Sequence, residues 1–381
     1  MELKWKAVND SLEPTAVPTQ YVVYTRVGDG DFDNGKLVKG TSCKVDIEKD
    51  KIYSYKVAAV NDGGVSFPSE ILSVCRKSNE KGVVMIVNGF TRISAPASWA
   101  AQDSITGFTD FIDHGVPDKV QFNYVGSQYE FRRSVGWMDD DSPGFGGSNA
   151  DRERQVIAGN SFDYPAVHGA ALAENGYSFV SASKQSVADC GVDIDGYAVV
   201  DVILGKEKEW VTAHGAKPAL FKTFPVELQT AITDYCLQGG HLLVSGAYVG
   251  TDLWDNPRAT KADRAWAVNI LKFKWRNDAG AVTGRFKAVA SPFPSFAGNY
   301  NYYNELNSES YVVERPDAIE PADKNAYTIF RYSENNLSAG VAYKGDYASC
   351  VLGIPFEAVK PEMRGGLMRS ILAFFEQKIE K

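Results

Sequence analysis

The chain has 381 residues, enough for two or three domains, and its 44% hydrophobic and 23% charged content is that of a globular protein. A formal net charge of −8 and a sequence pI near 5.2 argue against sequence-independent nucleic-acid binding, which needs clustered Lys and Arg to displace counterions. No window approaches the run of about 18–20 apolar residues that a membrane span requires.

Met1 runs almost directly into an amphipathic strand, Leu3-Lys4-Trp5-Lys6, without a signal peptide. This abrupt start reads as a piece cut from a longer chain whose export signal lies upstream. Strand signals then dominate residues 1–78. Tyr21-Val22-Val23-Tyr24-Thr25-Arg26-Val27 is β-branched and aromatic and ends in a Gly/Asp/Asn turn over residues 28–35. Residues 53–61 alternate large apolar with small or polar side chains at period two, as in a half-buried strand. Short strands at this spacing, with no helical stretch, predict a β-sandwich. Asp29, Asp31 and Asp33 mimic the start of a calcium loop. Asn34 stands at its glycine position, however, and Gly40 at its glutamate position, so a solvated hairpin turn is the expectation.

Trp5, the Tyr21/Tyr24 strand, Tyr53-x-Tyr55-x-Val57-x-Ala59-x-Asn61 and the closing Gly63-Gly64-Val65-Ser66-x-Pro68-Ser69 together resemble a fibronectin type III module of the immunoglobulin-like sandwich class. The family's first strand, ahead of the Trp strand, has no counterpart, which leaves an edge exposed or filled by another segment. The resemblance implies a spacer or binding platform.

A polar linker, Ser78 to Gly82, leads into a second domain over 81–381. Val83-Val84-Met85-Ile86-Val87 is a continuous apolar run, as expected for a central parallel strand covered on both faces. Residues 178–182, 198–204 and 241–245 repeat the pattern. Between them, Tyr164 to Asn175 predicts a helix stopping at Gly176, and Pro225 to Leu237 one stopping at Gly239-Gly240. A last helix runs from Arg364 to about Lys378. The alternation predicts an α/β domain with a mainly parallel sheet.

The order of these elements, with Gly239-Gly240-His241-Leu242-Leu243-Val244-Ser245-Gly246 and a late Gly353-Ile354-Pro355-Phe356-Glu357, resembles the flavodoxin-like, class I glutamine-amidotransferase-like fold. Asn88-Gly89-Phe90-x-Arg92, Asp139-Asp140-Asp141-Ser142-Pro143-Gly144 and Asn160-Ser161-Phe162-Asp163-Tyr164-Pro165 are similar to segments of secreted bacterial proteins often labelled xanthan lyase. Those proteins join a fibronectin type III module to carbohydrate- or cell-wall-directed modules. The fold class implied is multidomain: an N-terminal fibronectin type III-like β-sandwich plus an α/β three-layer domain with a mainly parallel flavodoxin-like sheet. In the amidotransferase family a Cys nucleophile sits in Gly-x-Cys-x-Gly. Here Gly246-Ala247-Tyr248-Val249-Gly250 puts Tyr at that position, and the family's His before Glu357 is missing, so thiol-based amidotransferase chemistry is not expected.

Other candidates are individual. Ser181, Ser183 and Ser245 lie near strand ends, where open α/β sheets form their ligand crevice, but none has a Gly-x-Ser-x-Gly elbow. His168 with Asp163 could complete a triad, or His168 could be an ordinary hydrogen-bonded residue. Cys190 is the best thiol candidate, while the other four cysteines read as buried apolar residues. Asp139, Asp140 and Asp141 beside Trp137 could bind calcium or act as acid and base. Alternatively, they form a solvated loop paired with Arg132 or Arg133. Tyr300, Tyr302 and Tyr303, interleaved with Asn299, Asn301 and Asn304, suit sugar stacking, or equally pack on a sheet edge. No dinucleotide fingerprint or phosphate-binding loop is present, so no nucleotide cofactor is expected.

The leading expectation is a glycan- or cell-wall-associated module of a secreted bacterial protein. Its alternatives are a polysaccharide lyase or hydrolase and a protein-interaction scaffold. A lyase crevice would draw on Asn88, Arg92, Asp139, Asp140, Asp141, Ser245 and Tyr248, with Tyr248 as base and Arg92 neutralising a uronate carboxylate. The expected partners are polysaccharide or peptidoglycan and other domains of a longer protein.

Overall fold

The computed structural model describes residues 1–9, 14–66, 68–91, 98–101, 104–108, 134, 163–209, 219–305 and 310–377. Seven short strands open the chain: β1 Glu2–Lys4, β2 Gln20–Val27, β3 Lys36–Val38, β4 Ser42–Lys44, β5 Ile52–Asn61, β6 Gly64–Val65 and β7 Leu72–Cys75. β1 and β4 pair into a two-stranded layer. β3, β2, β5 and β7 form the facing layer, with β6 on β5. Val23, Tyr53, Tyr55 and Val74 are buried between the layers, against Leu3, Trp5, Val38 and Cys43. In the turn after β2, the Asp33 carboxylate accepts the backbone N–H groups of Thr25 and Gly35, both at 2.9 Å, so it serves the hairpin.

The next elements are β8 Val83–Asn88, a hairpin of β9 Ser98–Ala101 and β10 Ser104–Phe108, α1 Tyr164–Glu174, β11 Ser178–Ser183, α2 Lys184–Ala188 and β12 Val199–Gly205. They are followed by α3 Val226–Leu237, β13 His241–Gly246, α4 Thr251–Trp254 and α5 Lys261–Trp266, which continues into a π turn at Ala267–Leu271. The chain then runs through β14 Phe273–Asn277, β15 Arg285–Ala288, β16 Asn299–Asn301, β17 Ala318–Pro321, β18 Ala326–Tyr332, β19 Ser338–Lys344, β20 Ala348–Leu352 and α6 Pro361–Glu376.

The helix boundaries follow local chemistry. Pro165 stands in the first turn of α1 and Pro361 opens α6, where a missing N–H costs nothing. Gly176 and Gly239, at φ +87° and +88°, end the segments of α1 and α3 in the left-handed conformation that glycine tolerates.

β11, β8, β12, β13 and β20 are mutually parallel and adjacent in that order. Helices cover both faces. Val84, Ile86, Val199, Ile203, Leu243 and Leu352 pack with α1 and α6. Their alternates Met85, Val87, Val200, Val202, Leu242 and Val244 pack with Leu228, Ile232 and Tyr235 of α3. Period-two strands buried on both faces read as unbroken apolar runs for this reason.

The parallel strands are nonetheless the middle of a mixed fourteen-stranded sheet, not a mainly parallel one. On one side β19, β18, β15 and β16 continue antiparallel from β20. On the other, β7 meets β11 antiparallel through the single ladder pair Cys75–Phe179. The molecule is thus multidomain and β-rich, with one sheet running through both parts. Ser side chains complete the junction where the ladder is short. Ser181 Oγ accepts the Ser73 N–H at 2.7 Å and donates to the Ser73 carbonyl at 2.7 Å. The hydroxyl of Ser178 accepts the Lys77 N–H at 2.9 Å. Half-buried Arg26 pairs with Asp163 at 3.3 Å, just ahead of α1. No described helix is long and apolar enough to cross a membrane.

Candidate functional site

The carboxyl ends of β8, β12 and β13 bring polar residues together. Asn88 lies opposite Ile203, and Ile203 opposite Ser245. Directly paired residues point to the same face, so the Asn88 amide and Ser245 hydroxyl flank Ile203 on the α1/α6 side of the sheet. Both residues are fully buried, and neither the Asn88 amide atoms nor Ser245 Oγ has a hydrogen-bond partner among the described residues. Such groups carry a desolvation cost of roughly 1–3 kcal/mol unless water or a ligand satisfies them.

Asp201, two residues before Ile203, shares that face. Its Oδ2 lies 2.7 Å from His168 Nδ1, and His168 Nε2 lies 3.2 Å from Glu357 Oε2. The Tyr311 hydroxyl donates to Glu357 Oε1 at 2.8 Å, and the Phe356 ring packs 4.7 Å from the imidazole. His168, Asp201 and Glu357 are buried from solvent. Burial pulls the His168 pKa down, but charge and hydrogen bonding from Asp201 and then Glu357 outweigh it and hold it up at about 9. Burial also pushes the Tyr164 and Tyr311 hydroxyls well up. Both ring nitrogens of His168 are thus engaged by carboxylates, and the negative charge around it favours its protonated form. Asp163 does not join it; that carboxylate pairs with Arg26.

An aromatic wall stands beside this network. The Phe90 ring lies 4.9 Å from Tyr164 and 5.2 Å from Tyr311. Gly205, at φ +49°, lets Phe90 close over β12; a Cβ there would fall 2.1 Å from Phe90 Cδ1. Charges at the same sheet end are paired. Lys206 Nζ contacts both Glu314 oxygens at 2.7 Å, and Lys184 reaches Glu207 at 2.8 Å. Glu207 also accepts from the Thr91 N–H and hydroxyl.

The turn from β13 into α4 carries Tyr248. Buried Asp317 fixes this turn, accepting the N–H groups of Gly250 at 2.6 Å and Thr251 at 2.9 Å and the Trp275 indole N–H at 3.1 Å. Burial outweighs these donors and pushes the Asp317 carboxyl up to about 7. Tyr248 is itself buried, with Lys208 Nζ 4.9 Å from its ring centroid, so its ring is packing and not an exposed base.

Several expectations are corrected by position. Ser181 is committed to the β7–β11 junction, and Ser183 caps α2 through the Ser186 N–H at 3.1 Å. Cys190 is exposed in a left-handed turn after α2. Tyr300 and Tyr302 are core residues, stacked around Phe286, because alternate residues of β16 turn inward while Asn299 and Asn301 turn out. They form no sugar-binding strip. Tyr303 is half-buried, with Lys360 over its ring at 5.9 Å. Arg92, Arg132, Arg133, Trp137, Asp139, Asp140 and Asp141 lie outside the described residues. Among the described residues no group of three His, Cys, Asp or Glu side chains is arranged to hold a metal ion. The sequence singled out Glu357 only through a resemblance; its pairing with a His from α1 had no signal in the sequence.

No protein-family model matches the chain, and no curated protein matches it. Among solved structures, the mmIFT52 N-terminal domain aligns at 13% identity and TM-score 0.37, over 55% of this chain and 89% of its own. The exo-beta-1,4-mannosidase Op5Man5 from Opitutaceae bacterium strain TAV5 aligns at 8% identity and TM-score 0.32, over 78% of this chain and 35% of its own. At these scores neither likeness assigns a function.

Proposed function

We propose that the chain is a non-catalytic, glycan- or cell-wall-associated module of a secreted bacterial protein. In this reading a fibronectin type III-like sandwich is joined to a flavodoxin-like unit that has lost amidotransferase chemistry. The parallel strands, numbered by their order in the chain, run second, first, third, fourth, fifth across the sheet, which supports the flavodoxin-like reading. Open sheets of this order receive ligands at the carboxyl ends of their strands.

The observation that carries the reading is the pair Asn88 and Ser245 at those ends, buried and without partners among the described residues. An amide that both donates and accepts, beside a hydroxyl, matches the hydroxyls and N-acetyl groups of a sugar. The neighbouring His168 has both ring nitrogens held by carboxylates, which supports a structural role for it.

The test is calorimetric titration with a panel of neutral and acidic oligosaccharides and muropeptides, with product mass spectrometry in parallel. Wild-type protein binds a panel member without changing its mass, and Asn88→Leu and Ser245→Ala each weaken that binding at least tenfold. Cleaved or unsaturated products would overturn the non-catalytic reading. Binding indifferent to both substitutions, or no binding across the panel, would overturn the site.

A further inference from the structure

The outer face of the sandwich sheet carries a second cluster, built from residues the strand-end site does not use. On β2, Tyr24 and Arg26 are two residues apart and share a face. Across the ladder on β5, Lys56 stands opposite Tyr24 and Ser54 opposite Arg26. Their neighbours Val23 and Tyr55 turn into the sandwich core, so this face is the one away from β1 and β4. The turn after β2 folds back over it. Asp33 fixes that turn through the Thr25 and Gly35 N–H groups. Gly35, at φ +77°, lies so close to β2 that a Cβ would fall 2.2 Å from Val22 Cγ1 and 3.0 Å from the Tyr24 ring.

This fold of the turn brings Phe32 to the same ammonium as Tyr24. Lys56 Nζ lies 4.3 Å from the Phe32 ring centroid and 5.5 Å from that of Tyr24. Arg26 lies 5.0 Å from the Phe32 ring as well, but its guanidinium is committed to Asp163 and Ser54, each at 3.3 Å. Lys56 has no carboxylate partner among the described residues, and it, Tyr24 and Phe32 are only half-buried. Leu37, 61% exposed, stands opposite Val22 and continues the face as an apolar shelf.

We propose that this cluster binds a sugar acid, with the uronate carboxylate on Lys56 and the C–H groups of the sugar against Tyr24, Phe32 and Leu37. The two rings attract the ammonium and hold it in place, so a ligand carboxylate meets a donor whose freedom is already reduced. A compact ring that joins a carboxylate to apolar C–H groups matches a cation set among aromatic and aliphatic side chains. An acidic peptide fits less well. β2 is paired on its two edges by β3 and β5, and β5 by β2 and β7, so an extended peptide finds no free backbone groups here to pair with. Recognition has to come from side chains on a sheet face. This site rests on the glycan reading, which it extends to a second place and narrows to uronates, and it uses none of the strand-end residues.

Calorimetric titration of the full chain at about 20 mM salt tests the proposal, with a galacturonic acid hexamer, a neutral galactose hexamer and a glutamate hexamer as probes. The uronate binds at least about tenfold more tightly than the other two, and more weakly as salt rises. Lys56→Gln weakens uronate binding at least about tenfold, whereas Lys56→Arg, which keeps a cation over the rings, retains it within about threefold. Equal binding of the neutral hexamer, unchanged binding in Lys56→Gln, or no uronate binding at all overturns the proposal. A glutamate hexamer bound as tightly as the uronate overturns the sugar assignment. Uronate binding that survives Lys56→Gln and is lost in Asn88→Leu belongs to the strand ends, and overturns this site while leaving the proposed function standing.

Discussion

His168 on α1 and Glu357, 189 residues further along the chain, meet with Nε2 3.2 Å from Oε2. Asp201 holds the other ring nitrogen at 2.7 Å, so one imidazolium ties together α1, β12 and the turn that leads into α6. Arg364 of α6 adds a donor to the Glu357 carbonyl at 2.8 Å. Two buried carboxylates are tolerable here because a buried cation lies between them.

Removing that cation should be severe. His168→Ala leaves Asp201 and Glu357 facing each other in a site with no solvent, and we expect a loss of about 3–5 kcal/mol. Urea denaturation measures it. A loss under about 1 kcal/mol would mean that the carboxylates are already neutral or hydrated.

The same cluster predicts a pH dependence. The His168 pKa is held at about 9, above the ordinary 6.5, so the folded state binds more protons between these values. The stabilisation is fully present below about pH 6.5 and is lost as pH rises through about 9, on the order of 3 kcal/mol in all. Asp317, raised from 3.8 to about 7, acts in the same direction over a lower window. The stability these two groups contribute should therefore fall from about pH 4 to 9, opposed in part by His241, whose imidazole pKa is held down by burial, and His168→Gln should flatten the upper half. Stability that climbs toward pH 9 would contradict the charged-histidine assignment.

At the junction between the two parts, Ser181→Ala strands the Ser73 N–H without its acceptor. We expect a loss of about 1–3 kcal/mol, with faster hydrogen exchange localised to β7 and β11. Unchanged protection at Ser73 would show that water replaces the hydroxyl.

Two glycines should respond oppositely to alanine. Gly205→Ala meets both a left-handed φ of +49° and the Phe90 ring, and should lose about 2 kcal/mol or more. Gly366 lies inside α6 with nothing within 4 Å of its added Cβ, so Gly366→Ala should gain about 0.5–1 kcal/mol. Thermal melts of the pair separate steric from entropic effects.

Much of the architecture is legible in the residues alone. The runs at 83–87, 178–182, 198–204 and 241–245 became β8, β11, β12 and β13, and the helices expected from 164 and 225 stop before Gly176 and Gly239. These features depend on neighbours within a few residues: side-chain alternation, proline geometry and the freedom of glycine at positive φ.

Tertiary structure alone decided the rest. The alternation in Asn299-Tyr300-Asn301-Tyr302 shows that both tyrosines share a face, but only packing around Phe286 and Phe330 makes that face the interior. The joining of β7 to β11 depends on two edges meeting across about 100 residues of chain. The buried network draws His168, Asp201 and Glu357, and the strand-end pair Asn88 and Ser245, from five separate segments. Local sequence encodes which residues can share a face; which faces meet is settled by long-range burial, where one pairing removes more apolar surface from water than its competitors.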